Sequence, residues 1–310
     1  MTQIDDAALA LQRGQLVAFP TETVYGLGAD AANPTAVARI YEAKQRPTNH
    51  PLIIHVSSVD QMDYWAIDIP EYARLLAKAF WPGPMTLILQ RSYAAKDFVT
   101  GGQPSVGLRV PNHPVALELL RKFESLGGKG VAAPSANLFG RVSPTTADAV
   151  SAELSSRLSD KDMVLEGGSS AVGIESTIID CTKAAPSILR PGAITEEMIS
   201  DVTNISLIQR DSDIRVSGAL DSHYAPRAKV FLNIEPKPGQ GLIALASEPT
   251  PVGVFRLCSP EDVNEYAQQL YSALRLADEK EISEVVAITP SGDGIAIAIR
   301  DRLSKASFGN

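Results

Sequence analysis

The chain has 310 residues, 45% of them hydrophobic and 21% charged, with a formal net charge of -8. Such a composition specifies a soluble globular protein with ample core, built as one large domain plus a small one or as two medium ones. The acidic balance excludes a broad basic face for gripping nucleic acid, so any RNA contact has to be local and weak.

Residues 1–11 carry Asp5 and Asp6 and lack a basic segment followed by an apolar one. No run of about 18 apolar residues follows anywhere, so the chain reads as cytoplasmic, with no membrane partner. Ile4, Ala7, Ala8 and Leu11 are spaced for a helix that stops at Gly14. That helix feeds the stretch around which the chain is organised, residues 16–28, L-V-A-F-P-T-E-T-V-Y-G-L-G. Leu16 to Phe19 read as a short buried strand, Pro20 stops it, and Thr21, Glu22 and Thr23 crowd two hydroxyls and a carboxylate onto the turn. Glu22 reads equally as an ordinary exposed loop acid.

Gly26 and Gly28 let the backbone approach a ligand or another segment before a helix that begins around Asn33 and Pro34 and ends in Lys44 and Arg46. Gly26, Gly28 and Ala31 also fit G-x-G-x-x-A, but Thr48, Asn49 and His50 stand where a dinucleotide fold needs an acid, about 20 positions on. A nicotinamide cofactor is therefore not expected. The basic exit runs into a second apolar strand, P-L-I-I-H-V, carrying His55. Strand, hydroxyl-rich turn, helix, cations and strand is the order a phosphate or nucleotide pocket requires, because cations neutralise phosphates while hydroxyls orient them. The bland reading of Lys44 and Arg46 is a solvated helix end that complements the dipole.

Farther along, residues 70–80 form an amphipathic helix ending at W-P-G-P, with Trp81 as a structural anchor, and residues 85–89 an apolar strand. Residues 105–110, S-V-G-L-R-V, alternate so that Ser105, Gly107 and Arg109 share a face. Arg109 is either an edge-strand side chain snorkelling to water or a buried cation awaiting an anion. His113 opens the next helix as part of its cap. The loop G-G-K-G at residues 127–130 lacks Walker A spacing and leads into the strand V-A-A-P-S-A-N. There Ser135 and Asn137 read as turn caps, and Ser143 as an N-cap for a helix over 145–158.

From Met163 come a strand, Gly167-Gly168, G-I-E-S-T-I-I-D, S-I-L and R-P-G. About seven strands alternating with helices suit an α/β fold, a twisted mixed sheet with flanking helices. Cys181 and Cys258 lie far apart with no C-x-x-C pair, so they read as small core residues and no metal site made of protein side chains is expected. The stretch S-G-A-L-D-S-H-Y-A-P has the texture of a linker, after which strands and helices start afresh as a small Rossmann-like α/β unit. The expected division is 1–209, a linker over 210–228 and a C-terminal domain over 229–310.

In order, F-P-T-E-T-V-Y-G-L-G, K-x-R-P-x-x-H-P-L-I-I-H-V, S-V-G-L-R-V-P, A-P-S-A-N, E-S-T-I-I-D, L-R-P-G and H-Y-A-P-R cover nearly the whole chain and resemble the two-domain form of the threonylcarbamoyl-adenylate synthases, the YrdC-like family. The resemblance implies the YrdC-like (DHBP synthase-like) sheet with an electropositive cavity, and a reaction of L-threonine, bicarbonate and ATP, with Mg2+, that yields threonylcarbamoyl-adenylate and pyrophosphate. The product would pass to the tRNA threonylcarbamoyl-transfer machinery that modifies the adenosine beside the anticodon. Carried over motif by motif, Thr23, His55, Arg109, Ser176 and the backbone near Ala133 would hold threonine. Arg46, His50, Ser105, Ser135, Ser143, Arg190 and Tyr224 would hold ATP, and Lys44, Arg46 and Arg109 would stabilise developing charge. The linker, with His223 and Tyr224, would fold over the cavity as a lid. The rival reading is an RNA-binding or ribosome-maturation module without ATP turnover, which the acidic balance and the lack of aromatic platforms among basic residues disfavour.

Overall fold

A computed structural model describes residues 2–209, 214–218 and 224–308. Helix α1 (Gln3–Gln12) opens on a capping box between Thr2 and Asp5, and delivers the chain to strand β1 (Val17–Phe19). After the Thr21–Thr23 turn comes β2 (Gly26–Asp30), antiparallel to β1, where the sequence suggested only a loop. Its G-L-G-A-D composition has no β-branched residue to betray a strand. Helix α2 (Pro34–Lys44) is capped by Asn33, whose side chain accepts from the amides of Thr35 and Ala36, and has Pro34 in its first turn. Gln45 then adopts a left-handed conformation, φ 52°, which turns the chain so that Arg46 departs from the direction of Lys44.

The remaining elements of the first unit are β3 (Ile53–His55), α3 (Met62–Trp65), α4 (Glu71–Phe80), β4 (Met85–Gln90), α5 (Asp97–Thr100), β5 (Ser105–Arg109), α6 (Pro114–Ser125), β6 (Val131–Ala132), α7 (Ala147–Leu154), β7 (Met163–Val164), β8 (Thr177–Asp180), β9 (Ser187–Arg190) and α8 (Glu196–Thr203). Strands β1 to β9 make one mixed nine-stranded sheet in the order β7-β1-β2-β6-β3-β5-β4-β8-β9. Strand β5 is interior, between β3 and β4, so Arg109 is no edge-strand snorkeler; it is 4% exposed. Trp81 is an anchor, its indole donating to the Met85 carbonyl at 2.7 Å. His113 occupies the cap position of α6 without a side-chain capping bond, its ring instead 3.2 Å from the Gly167 carbonyl oxygen. Nor does Ser143 cap α7; Thr146 does, accepting from the Ala149 amide.

The second unit holds β10 (Lys229–Leu232), β11 (Gly241–Ile243), β12 (Phe255–Cys258), α9 (Val263–Glu279), β13 (Glu284–Ala287) and α10 (Ile295–Ser307). Its four strands are all parallel, in the order β10-β13-β11-β12. Asp262 caps α9, which buries Tyr266, Leu270, Tyr271 and Leu274 along one stripe. That stripe packs in one apolar cluster with Val24, Val142 and Ile174 of the first unit, so the two units share a core. Gly173, at φ +80°, lets this happen: a Cβ there would lie 2.3 Å from the Gln268 Cα on α9. Among the described residues no helix is long and apolar enough to cross a membrane.

Candidate active site

Strand ends from both halves of the large sheet border one cavity. The turn after β1 is locked from within. Thr21 Oγ1 donates to the Val24 carbonyl at 2.6 Å and accepts from the Thr23 and Val24 amides, the side-chain turn that a hydroxyl favours. Thr23, fully buried, faces the cavity beside Thr21, their hydroxyl oxygens 2.8 Å apart.

His55 ends β3 on the same wall, its ring edge-on to Phe19. Burial, then the neighbouring Arg109 charge, push its pKa down to about 3, so the imidazole is neutral at physiological pH, and its Nδ1 is buried without a hydrogen-bond partner. Arg109, at the end of β5, donates from Nε to the Gly83 carbonyl at 3.3 Å, and its Nη2 lies 2.8 Å from Glu22 Oε1. Glu22 is thus a buried partner and no exposed loop acid; its other oxygen accepts from the Asn112 amide at 3.0 Å.

Opposite stand Arg46 and Arg190. Arg46 Nη2 donates to the Pro51 carbonyl at 3.0 Å and to Ser217 Oγ at 3.1 Å, while its Nε is buried and unpartnered. Burial lowers its pKa to about 10, which leaves it cationic. Arg190, from the end of β9, braces the Ser176 carbonyl through Nε and Nη2 at 3.1 and 2.9 Å and the Ser217 carbonyl through Nη1 at 3.0 Å. Ser176 in turn shares a hydrogen bond with Thr86. Tyr224, in a left-handed conformation (φ 61°), closes the far side with Ser217 and Gly218.

The structure therefore brings Thr23, Arg46, His55, Arg109, Ala133, Ser135, Ser176, Arg190 and Tyr224 to one hollow. Four other residues singled out in the sequence stand just behind or beside it. Lys44 Nζ, buried, donates to the backbone carbonyls of Ser135, at 2.6 Å, and Asn137, so it holds the 135–139 turn from the back. Burial and the Arg46 charge push its pKa well down. His50 sits edge-on to Phe139, whose ring lies 5.5 Å from the Arg46 guanidinium. Ser105 lines a small adjoining cavity that shares Ile53 and Ser217 with the first. Ser143 donates its hydroxyl to Glu175 Oε1 at 2.6 Å. His223 lies outside the described residues, with 210–213 and the rest of 219–223; among the described linker residues Ser217, Gly218 and Tyr224 line the cavity.

Glu175 is the functional candidate that the sequence reading passed over. It lines the cavity one residue before Ser176, within the same E-S-T motif, which was the available signal. Burial alone would raise its pKa, but Arg302, Arg190 and the Ser143 bond outweigh that and hold it at about 2. Glu22 is ion-paired with Arg109 and Glu175 with Arg302, so among the described residues the charge left to make the hollow positive is that of Arg46 and Arg190. Among the described residues no group of three His, Cys, Asp or Glu side chains is placed to hold a metal ion.

Comparison with known proteins adds an independent line. The family model described as "Telomere recombination" matches residues 9–192, and "Threonylcarbamoyl-AMP synthase, C-terminal domain" matches 194–307. Threonylcarbamoyl-AMP synthase of Pyrococcus abyssi is 38% identical over 97% of this chain and 93% of its own length; that of Bacillus subtilis is 37% identical over 99% and 93%. The crystal structure of P. abyssi Sua5 complexed with L-threonine superposes with a TM-score of 0.88 at 37% identity, over 98% of this chain and 94% of that one.

Proposed function

The chain belongs to the threonylcarbamoyl-AMP synthase family, and from that premise we propose that it converts L-threonine, bicarbonate and ATP into threonylcarbamoyl-adenylate and pyrophosphate. The observation that carries this reading is the convergence of Arg46, Arg109 and Arg190 on a hollow that Thr23 and the neutral His55 also line. Two anionic reactants have to be gathered there. Arg109, steadied by Glu22 and Gly83, takes the threonine carboxylate, and Thr23, neutral His55, Ser176 and the backbone at Ala133 take its remaining polar atoms.

The threonine amine and bicarbonate combine to a carbamate with loss of one water, and a carbamate oxygen attacks the α-phosphorus of ATP; the bond to the β-phosphate oxygen breaks and pyrophosphate leaves. Nothing in that sequence demands a protein nucleophile. It demands alignment of the two reactants and fixed positive charge where the leaving group develops its own negative charge. Arg46 and Arg190 supply that charge at the cavity wall, and Lys44 acts through the turn that carries Ser135. Ser135, Ser143, Ser105, His50 and Tyr224 complete the ATP contacts. Magnesium enters as part of the substrate MgATP, held by phosphate oxygens and water, since the carboxylate at the cavity wall, Glu175, is committed to other partners. The product supplies tRNA modification next to the anticodon in the cytoplasm.

Incubation of the purified protein with threonine, labelled bicarbonate and MgATP tests this. Equimolar pyrophosphate and a labelled threonylcarbamoyl-adenylate are expected. Salt-sensitive RNA binding with no adenylate formed would overturn it in favour of an RNA-binding module.

A further inference from the structure

Glu175 joins the cavity to the C-terminal domain. Its Oε1 accepts from Ser143 at 2.6 Å, and its Oε2 from the Tyr271 hydroxyl on α9 at 2.9 Å and from Arg302 Nε on α10 at 2.8 Å. Arg302 is wholly buried; it also donates to the Pro191 carbonyl at 3.0 Å and to Asp301 at 2.6 Å. Its guanidinium lies 5.3 Å from the Tyr224 ring, which stacks on Tyr271. A buried ion pair of this kind is weak evidence for stability, because apolar residues of similar volume hold a core equally well. It does, however, cancel a negative charge on a wall that has to receive a polyphosphate. An unpaired carboxylate there would repel the nucleotide.

We propose that Arg302 is a positioning residue for the nucleotide site: acting through Glu175, it lets the C-terminal domain set the charge of the cavity wall and hold the Ser143 hydroxyl in place. The inference deepens the proposed function and rests on its assignment of ATP to this wall. The charged and titratable groups facing Glu175 are Arg302, Tyr271, Tyr224 and Arg190, with Asp301 behind Arg302. Of these, Tyr271 and Arg302 both touch the carboxylate from the second domain, and of the two Arg302 brings the positive charge that balances it.

The test measures steady-state kinetics of the full chain with MgATP varied. Arg302→Met is expected to raise the KM for ATP by about tenfold or more, with kcat and the KM for threonine within about threefold. The added substitution Glu175→Gln removes the stranded charge and is expected to return the KM to within about threefold of the unsubstituted protein. In Arg302→Met alone, the ratio of its KM to that of the unsubstituted protein should shrink as pH is lowered, because protonation discharges a carboxylate that has lost its counter-charge. A purely structural contact would give neither rescue nor that pH dependence, and an unchanged KM in Arg302→Met, or no rescue by Glu175→Gln, would overturn the proposal. Should Arg302→Met fail to fold, Glu175→Gln/Arg302→Met and Arg302→Lys carry the test: near-normal KM in both is expected, and a raised KM in the double variant overturns the idea. Failure of the underlying reading looks different, since Arg46→Ala would then leave ATP binding unaltered.

Discussion

Arg109 and Glu22 form an ion pair of 2.8 Å in which both side chains are almost wholly buried, one at the end of an interior strand and the other on the turn after β1. The pair holds the guanidinium at the cavity wall, where the proposed threonine carboxylate would meet it. Arg109→Ala is expected to weaken threonine binding by about 2–5 kcal/mol, measured by calorimetry, and part of that loss comes from the stranded Glu22 charge. Glu22→Gln should weaken it less, because the cation persists while losing its orientation. Unchanged threonine affinity in Arg109→Ala would remove this residue from the site.

His55 predicts a pH dependence of stability. The folded imidazole is held at about 3 and the unfolded one titrates near 6.5, so between these values protons prefer the unfolded chain. Stability from this group is fully present above pH 6.5 and is lost as pH falls toward 3, at about 1.4 kcal/mol per pH unit. Denaturant titrations of the protein and of His55→Gln across this window should show the shallower slope in the variant; equal slopes would contradict a buried neutral histidine.

Lys44 stands behind the cavity wall, and its removal should act through the 135–139 turn. Lys44→Met leaves the buried Asn137 carbonyl without this donor, at a cost of about 1–3 kcal/mol, and the part-buried Ser135 carbonyl at a smaller one. A lower Tm and a raised KM for ATP are expected, with threonine affinity little changed. A loss confined to kcat would instead mark a direct electrostatic role in the chemical step.

Gly173 tests how firmly the units are joined. Its positive φ disfavours any side chain, and an alanine Cβ would press on α9 backbone at Gln268 Cα and the Ala267 carbonyl, which a flexible side chain's movement cannot relieve. Gly173→Ala should separate the units, seen as a larger radius of gyration by small-angle scattering and faster proteolysis of the linker. An unaltered scattering profile would show that the interface yields without opening.

The parts of the site that were legible in the sequence are polar side chains closing apolar runs, namely Thr23 after β1, His55 on β3 and Arg109 on β5. A strand end fixes position, and a polar residue there has few places to point other than a cleft. Glu175 was illegible for the opposite reason. Its meaning comes from Ser143, Tyr271 and Arg302, which lie 32, 96 and 127 residues away along the chain, so no local pattern announces it. Lys44 and Arg46 look interchangeable in K-Q-R, yet the left-handed Gln45 between them sends one behind the wall and the other into the cavity. Strand β2 escaped notice because its small residues carry no strand signal, although pairing with β1 and β6 places it within the sheet.

The contact between Gly173 and α9, together with the grip of Arg302 on Glu175, bears on how this molecule can be re-engineered. A chimaera that grafts a foreign C-terminal half onto this catalytic half inherits a carboxylate and a bare backbone patch already cut to one counterpart. Such a transplant should work only when the donor brings an arginine at the matching helix position and a helix groove able to seat a residue without a side chain.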